Sequence, residues 1–194
     1  MSEIFVTSDH HFDHKNILKY QPHTRPFNTV EEMESGLISR HNHMVGPKDE
    51  VYFLGDFAFA SEQKVLEILE QMNGRKYFIF GNHDKVMRNE RVRKHFEWMK
   101  SYHELRIPGI RSPIPLFHYP IFSWNRMHFG AYHFYGHTHG QIPYLYNGLA
   151  MDIGVDTNDC YPYNVADLIA RFEKIKETLG EDAVVDARGR DEIR

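Results

Sequence analysis

Gly81-Asn82-His83-Asp84 follows directly on Lys76-Tyr77-Phe78-Ile79-Phe80, and the reading of that junction decides the fold. The first five residues, aromatic and β-branched, read as a short buried strand. The chain thus ends a strand with an amide, an imidazole and a carboxylate in a row. The same junction recurs along the sequence. Ile4-Phe5-Val6 leads to Asp9-His10-His11, Val51-Tyr52-Phe53-Leu54 to Gly55-Asp56, Ile114-Pro115-Leu116-Phe117 to His118, and Tyr132-His133-Phe134-Tyr135 to Gly136-His137-Thr138-His139-Gly140. In open α/β sheets, sites gather just beyond the carboxyl ends of strands, where loops converge on a rigid frame.

Helical patterns lie between these strands. Thr29 with Glu32 forms a capping-box start for Val30, Met33, Leu37, Ile38 and Val45. Ser61 caps a second helix carrying Val65, Leu66, Leu69 and Met72, which Gly74 can end, and Asn164 caps a third through Val165, Leu168, Ile169, Phe172 and Ile175. Apolar spacing of three and four marks core faces. The alternation predicts an α/β protein, and 194 residues predict a single domain over 1–194. Tyr20 to Asn28, with Pro22 and Pro26, reads as an ordered loop near the first polar cluster. Gly180 to Arg194 mixes both signs of charge and reads as a weakly packed tail.

Hydrophobic residues make up 41% and charged residues 26%, an ordinary globular balance. A net charge of −4 supplies no overall basic field, so neither long nucleic acid nor an anionic membrane is favoured as partner. Cys160 is the sole cysteine, and Met1 to Phe12 lacks the basic start and apolar core of a signal peptide. No apolar run approaches the ~20 residues of a membrane helix. The expectation is a soluble, cytoplasmic protein. Histidine is the figure out of line, with 14 copies.

The polar groups at the strand ends are Asp9, His11, Asp56, Asn82, His83, Asp84, His118, His137 and His139. Imidazole and carboxylate without thiolate suit Mn, Fe, Co, Ni or Zn rather than a structural cysteine site or a calcium cage. These donors exceed the needs of one ion. Two divalent ions sharing a carboxylate at roughly 3.5 to 4 Å can clamp a displacement at phosphorus.

Asp9-x-His11, Gly55-Asp56, Gly81-Asn82-His83-Asp84, His118 and Gly136-His137-x-His139 occur in that order, and the series resembles the calcineurin-like metallophosphoesterase superfamily from about residue 4 to residue 156. Ser8-Asp9-His10-His11-Phe12, Arg25-Pro26-Phe27 and His118-Tyr119-Pro120 further resemble a small bacterial and phage branch of predicted phosphoesterases. The resemblance implies a four-layer α/β/β/α sandwich, two mixed β-sheets packed face to face with helices outside. It implies that Asp9, His11 and His139 hold one ion, that Asn82, His118 and His137 hold the other, and that Asp56 bridges them. Two divalent ions, manganese favoured, would outweigh Asp9, Asp56 and a bridging hydroxide in charge, leaving a centre that attracts a phosphate ester. The expected reaction is attack of that hydroxide on phosphorus, with His83 protonating the leaving oxygen and Asp84 orienting the His83 ring. The expected substrate is a small phosphodiester or nucleotide. The rival readings are a non-catalytic metal-binding scaffold of the same fold and a nuclease.

Five further residues stand near these motifs as candidate substrate contacts: His10, His14, Arg25, Trp124 and Arg126. Lys85, Arg88, Arg91, Arg93 and Lys94 read as the wet face of a helix that could steer an anion. His95, His103, His128, His133 and Cys160 read as structural.

Overall fold

The computed structural model describes residues 2–142 and 149–186, with side chains through residue 178. In the first of two mixed sheets, β1 (Ile4–Thr7), β2 (Glu50–Phe53), β3 (Arg75–Ile79) and β4 (Trp98–Lys100) run parallel. The two-residue β9 (Tyr163–Asn164) adds antiparallel beside β1, giving the order β4-β3-β2-β1-β9. The second sheet has the order β5-β6-β7-β8, from β5 (His103–Leu105), β6 (Ile114–Leu116), β7 (His133–Tyr135) and β8 (Ala150–Asp152). Its β5 is antiparallel to β6 and its other pairs are parallel. The helices are α1 (Ile17–Tyr20), α2 (Val30–Met44), α3 (Glu62–Gln71), α4 (Glu90–Arg93) and α5 (Val165–Asp186).

Alternation along the central strands sorts the core into two. Phe5, Val51, Phe53 and Phe78 face a cluster with Met33 and Leu37 of α2 and Val65 and Leu69 of α3. Their neighbours Val6, Tyr52 and Ile79 point the other way, into a cluster with Leu105, Ile114, Leu116 and Phe134 of the second sheet. Burial on both faces explains why β1 to β3 read as unbroken apolar runs rather than as alternating ones. The result is an α/β sandwich of two mixed sheets flanked by helices.

The anticipated caps are present: Thr29 accepts from the Glu32 amide, Ser61 from the Lys64 amide, and Asn164 from the Ala166 amide. The Glu32 carboxylate closes its box one residue early, on the Asn28 amide at 2.9 Å. At the C-terminus the backbone of α5 stays helical through Asp186, into the stretch from Gly180 that reads as a weakly packed tail. Residues 187–194, the rest of that stretch, lie outside the described residues. Among the described residues no helix is long and apolar enough to cross a membrane.

His133 on β7 shows how a histidine serves this core as a neutral group. Its Nδ1 donates to the Pro115 carbonyl at 3.0 Å and its Nε2 accepts from the Ile121 amide at 3.2 Å, so added charge would face a donor. Burial lowers its pKa from 6.5 to about 4. The unfolded chain therefore takes up the proton first, and stability held above pH 6.5 is lost as the pH falls toward 4. By about pH 4.5 that loss is on the order of 2 kcal/mol. His133→Gln should flatten the fall in melting temperature between pH 6.5 and 4.5; an unchanged slope would remove His133 from the acid response.

Candidate metal centre

Register brings the candidate ligands together. Thr7 lies opposite Phe53 and Phe53 opposite Phe78, so β1, β2 and β3 end at one edge. Asp9, Asp56 and Asn82 leave the first sheet there. Leu116 lies opposite Phe134 in the second sheet, and His118, His137 and His139 leave beside them. The two edges are stitched by hydrogen bonds: His118 Nδ1 donates to the Leu54 carbonyl at 2.7 Å, and Asp9 Oδ2 accepts from the His137 amide at 2.9 Å. Ligand atoms of Asp9, His11 and His139 then lie within 4.8 Å of one another, as do those of Asp56, His118 and His137. Asp56 Oδ2 stands between the two groups, 3.7 Å from His11 Nε2 and 3.6 Å from His118 Nε2. Asn82 Oδ1 is 2.9 Å from His118 Nε2.

The state of each donor suits a cation. A carbonyl can only accept, so His118 carries its proton on Nδ1 and presents the Nε2 lone pair inward. His139 likewise gives Nδ1 to Asp156 Oδ2 at 2.7 Å, leaving Nε2. Asp9 Oδ1 and both ring nitrogens of His11 are buried with no hydrogen-bond partner. Buried polar atoms are nearly always paired, and each one left bare costs about 1–3 kcal/mol. Burial raises the Asp9 pKa from 3.8 to about 8, and burial joined by the Arg25 charge lowers His11 to about 2. A divalent ion would satisfy these atoms, and the residues fit two such ions.

The backbone is bent to aim them. Asp9, His11, Asp56, His137 and His139 all adopt positive φ, between 48° and 71°, a left-handed region that L side chains seldom occupy outside functional turns. Gly55 has φ 95°, and a Cβ there would meet the Gly81 amide at 2.5 Å and His118 Nδ1 at 2.7 Å. Only glycine allows the two loops this close.

Buried acids hold these turns. Asp84 accepts from the amides of Gly81 at 2.6 Å, Asp56 at 2.8 Å and Phe57 at 2.9 Å. Its expected role is corrected accordingly: its oxygens fix the loop around the metal ligands and do not orient the His83 ring. Asp152 does the same for the other sheet, accepting from Thr138 Oγ1 and from the amides of Gly140 and Gly154. Burial pushes the Asp156 carboxyl up, but hydrogen bonds from His139, Arg25 and Thr24 outweigh it and hold the group well below the usual carboxylate range. Asp152 and Asp156 escaped the sequence reading, although Ala150-Met151-Asp152 repeats the junction of an apolar run and an acid.

Four of the five candidate substrate contacts lie elsewhere. Arg25 is fully buried; Nε and Nη2 clamp Asp156 at 2.9 and 2.8 Å, while Nη1 and Nη2 donate to the carbonyls of His10 and Asp9. It braces the ligand turn, since a buried guanidinium must spend its donors on partners. His10 is buried against Phe12, Phe53 and Phe57. Trp124 is core, its indole donating to the Ala131 carbonyl at 3.0 Å. Arg126 turns to Ser112 and lies over Phe129. His14 alone stays close, its ring 5.4 Å from that of His11. His83 is exposed beside the centre, its ring 6.0 Å from His11 and its amide donating to Asp56 Oδ1 at 2.9 Å.

No known family model matches the chain. An uncharacterized protein of Methanocaldococcus jannaschii is 48% identical over 94 residues, which are 47% of this chain and 52% of that protein, so the match spans about half of the relative's length. The Gene 66 protein of Mycobacterium phage L5 is 27% identical over 168 residues, 73% of this chain and 80% of that one. A crystal structure of a protein of unknown function from Aquifex aeolicus aligns with a TM-score of 0.67 at 23% identity, covering 88% of this chain and all of that chain. That likeness supports the two-sheet sandwich.

In the metal-free protein the folded state keeps a proton on Asp9 that the unfolded chain releases, so Asp9 makes the fold lose stability as pH rises from about 4 to about 8. Asp9→Asn should therefore leave the metal-free melting temperature near that of wild type at pH 4, raise it at pH 7 and at pH 9, and weaken the gain on adding Mn(II). A variant that unfolds at pH 7 and still responds to metal would refute this account.

Proposed function

We propose that the chain is a binuclear metal-dependent phosphoesterase of the calcineurin-like type, with the four-layer arrangement of that superfamily, hydrolysing small phosphate esters in the cytosol. One observation carries the reading: Asp56 Oδ2 lies within 3.7 Å of an imidazole from each of two ligand groups, as a carboxylate shared by two ions must. Asp9, His11 and His139 would hold one ion and Asn82, His118 and His137 the other, with Asp56 placed between the two groups. Two bound divalent ions supply an activated water and positive charge opposite the phosphate oxygens.

The chain's own groups perform the rest. Asp84 and Asp152 fix the loops that carry the ligands, so the donors need no reorganisation when substrate arrives. His83 sits outside the ligand set, exposed and with its backbone tied to Asp56. As the phosphorus–oxygen bond to the leaving group breaks, His83 gives its proton to that oxygen. A scaffold that only held metals would have no use for it.

Metal-stripped protein resupplied separately with Mn, Ni, Zn, Mg or Fe(II) should regain hydrolysis of p-nitrophenyl phosphate or its bis ester, and Asp56→Asn should lose at least ~100-fold of it. Silence with every metal while two ions stay bound would sink the proposal in favour of the scaffold. His83→Gln should slow an alkyl ester by roughly 100-fold and a nitrophenyl ester far less, because nitrophenolate leaves without a proton. Equal losses on both would deny His83 the acid role.

A further inference from the structure

Phe59 breaks the pattern of its own loop. Phe57 and Ala58 are buried, yet Phe59 is 42% exposed while its backbone is pinned by its amide donating to the Phe12 carbonyl at 2.8 Å. An aromatic ring held in the open by rigid backbone is available as a contact surface. It lies stacked on His14 at 4.1 Å, 5.4 Å from the His11 ring and 4.9 Å from His83. His14 in turn meets Tyr20 edge-on at 6.2 Å. An aromatic shelf thus runs from Tyr20 to His83, bordering a metal ligand on the way.

Beside it lies a cavity of about 560 Å³, lined by Ala58, Phe59, Ala60, His83, Lys85 and Val86 among others. Its size falls in the ~300–1,000 Å³ range of small-molecule sites. Ala58 and Ala60 leave room next to the ring, and Lys85 sets one exposed cation at the rim. His83 belongs both to the centre and to this cavity.

Resting on the phosphoesterase reading, we propose that this cavity is the leaving-group subsite and that Phe59 selects esters whose leaving alcohol carries a flat aromatic ring, a nucleoside being the natural example. The oxygen that receives the His83 proton lies on the His83 side of phosphorus, so the group attached to it extends into the cavity lined by His83 and Phe59. Stacking on Phe59 then favours an aromatic arm whatever its hydrogen-bonding edge, because every base has a π-face. Lys85 at the rim accommodates an arm that carries a carbonyl or a further anion.

The test uses phosphonates, whose carbon–phosphorus bond this hydrolysis does not cleave. Benzylphosphonate and propylphosphonate present the same head and differ in the arm; calorimetry would measure both on the Mn(II)-loaded full chain. Wild type should bind benzylphosphonate about tenfold tighter than propylphosphonate. Phe59→Leu should cut that preference below about threefold with propylphosphonate unchanged, which also reports an intact fold, and Phe59→Trp should restore it. Equal binding of the two by wild type, or an equal loss of both in Phe59→Leu, overturns the subsite and leaves the phosphoesterase reading standing. If neither phosphonate nor inorganic phosphate binds the loaded protein, both fall together.

Discussion

Asp9 and His11 are buried side by side with bare polar atoms, and this arrangement is unfavourable to the folded chain on its own. The carboxyl holds a proton to about pH 8 and the imidazole refuses one to about pH 2, both because water has been removed from around them. Each bare atom opposes folding by about 1–3 kcal/mol, an appreciable part of the ~5–15 kcal/mol that stabilises a typical domain. The remaining features of the site hold those atoms in place.

Two kinds of support do so. Covalent geometry is the first: left-handed turns at Asp9, His11, Asp56, His137 and His139 direct side chains that an extended backbone would have sent to alternate faces. Buried acids are the second. Asp84 gathers three amides from two loops of the first sheet, Asp152 ties the His137–His139 loop to the end of β8, and Asp156 joins His139 to Arg25, whose other donors hold the Asp9 and His10 carbonyls. Each acid is paired by donors that its own fold supplies. Asp9 Oδ1 and the ring nitrogens of His11, which face the centre, are left without hydrogen-bond partners.

This division explains which parts were legible in the sequence. The strands that carry ligands are buried on both faces, and Phe78-Ile79 or Val51-Tyr52-Phe53 cannot be mistaken for amphipathic helix. Side-chain caps at Thr29 and Ser61 act within three residues, so their helices were legible as well. The strands β4, β5, β8 and β9 were not, being two or three residues long and stabilised by their neighbours rather than by any pattern of their own. Arg25 misled because its charge suggests phosphate, whereas its position is set by Asp156, 131 residues away. Asp84 misled for a similar reason: adjacency to His83 suggested a pair, but the turn aims the carboxylate back into the loop. Sequence order reports donors reliably and reports what supports them poorly, since support is a contact across distant segments.

The same logic separates His83 from its neighbours. Asp56, His118, His139 and the three bracing acids are tied down by hydrogen bonds across the fold. His83 and Phe59 are tied by backbone hydrogen bonds and by ring contacts with each other and with neighbouring histidines, and both stay exposed. Phe57, Phe12 and His10, by contrast, are turned inward. The His83 and Phe59 rings lie outside at one rim, touching each other and the edge of the candidate metal centre, and suit the proposed ester with its charge toward Asp56 and its remainder toward Phe59. The proposed site therefore extends past the candidate ligands, because the same loop that carries Asp56 presents Phe59 three residues later.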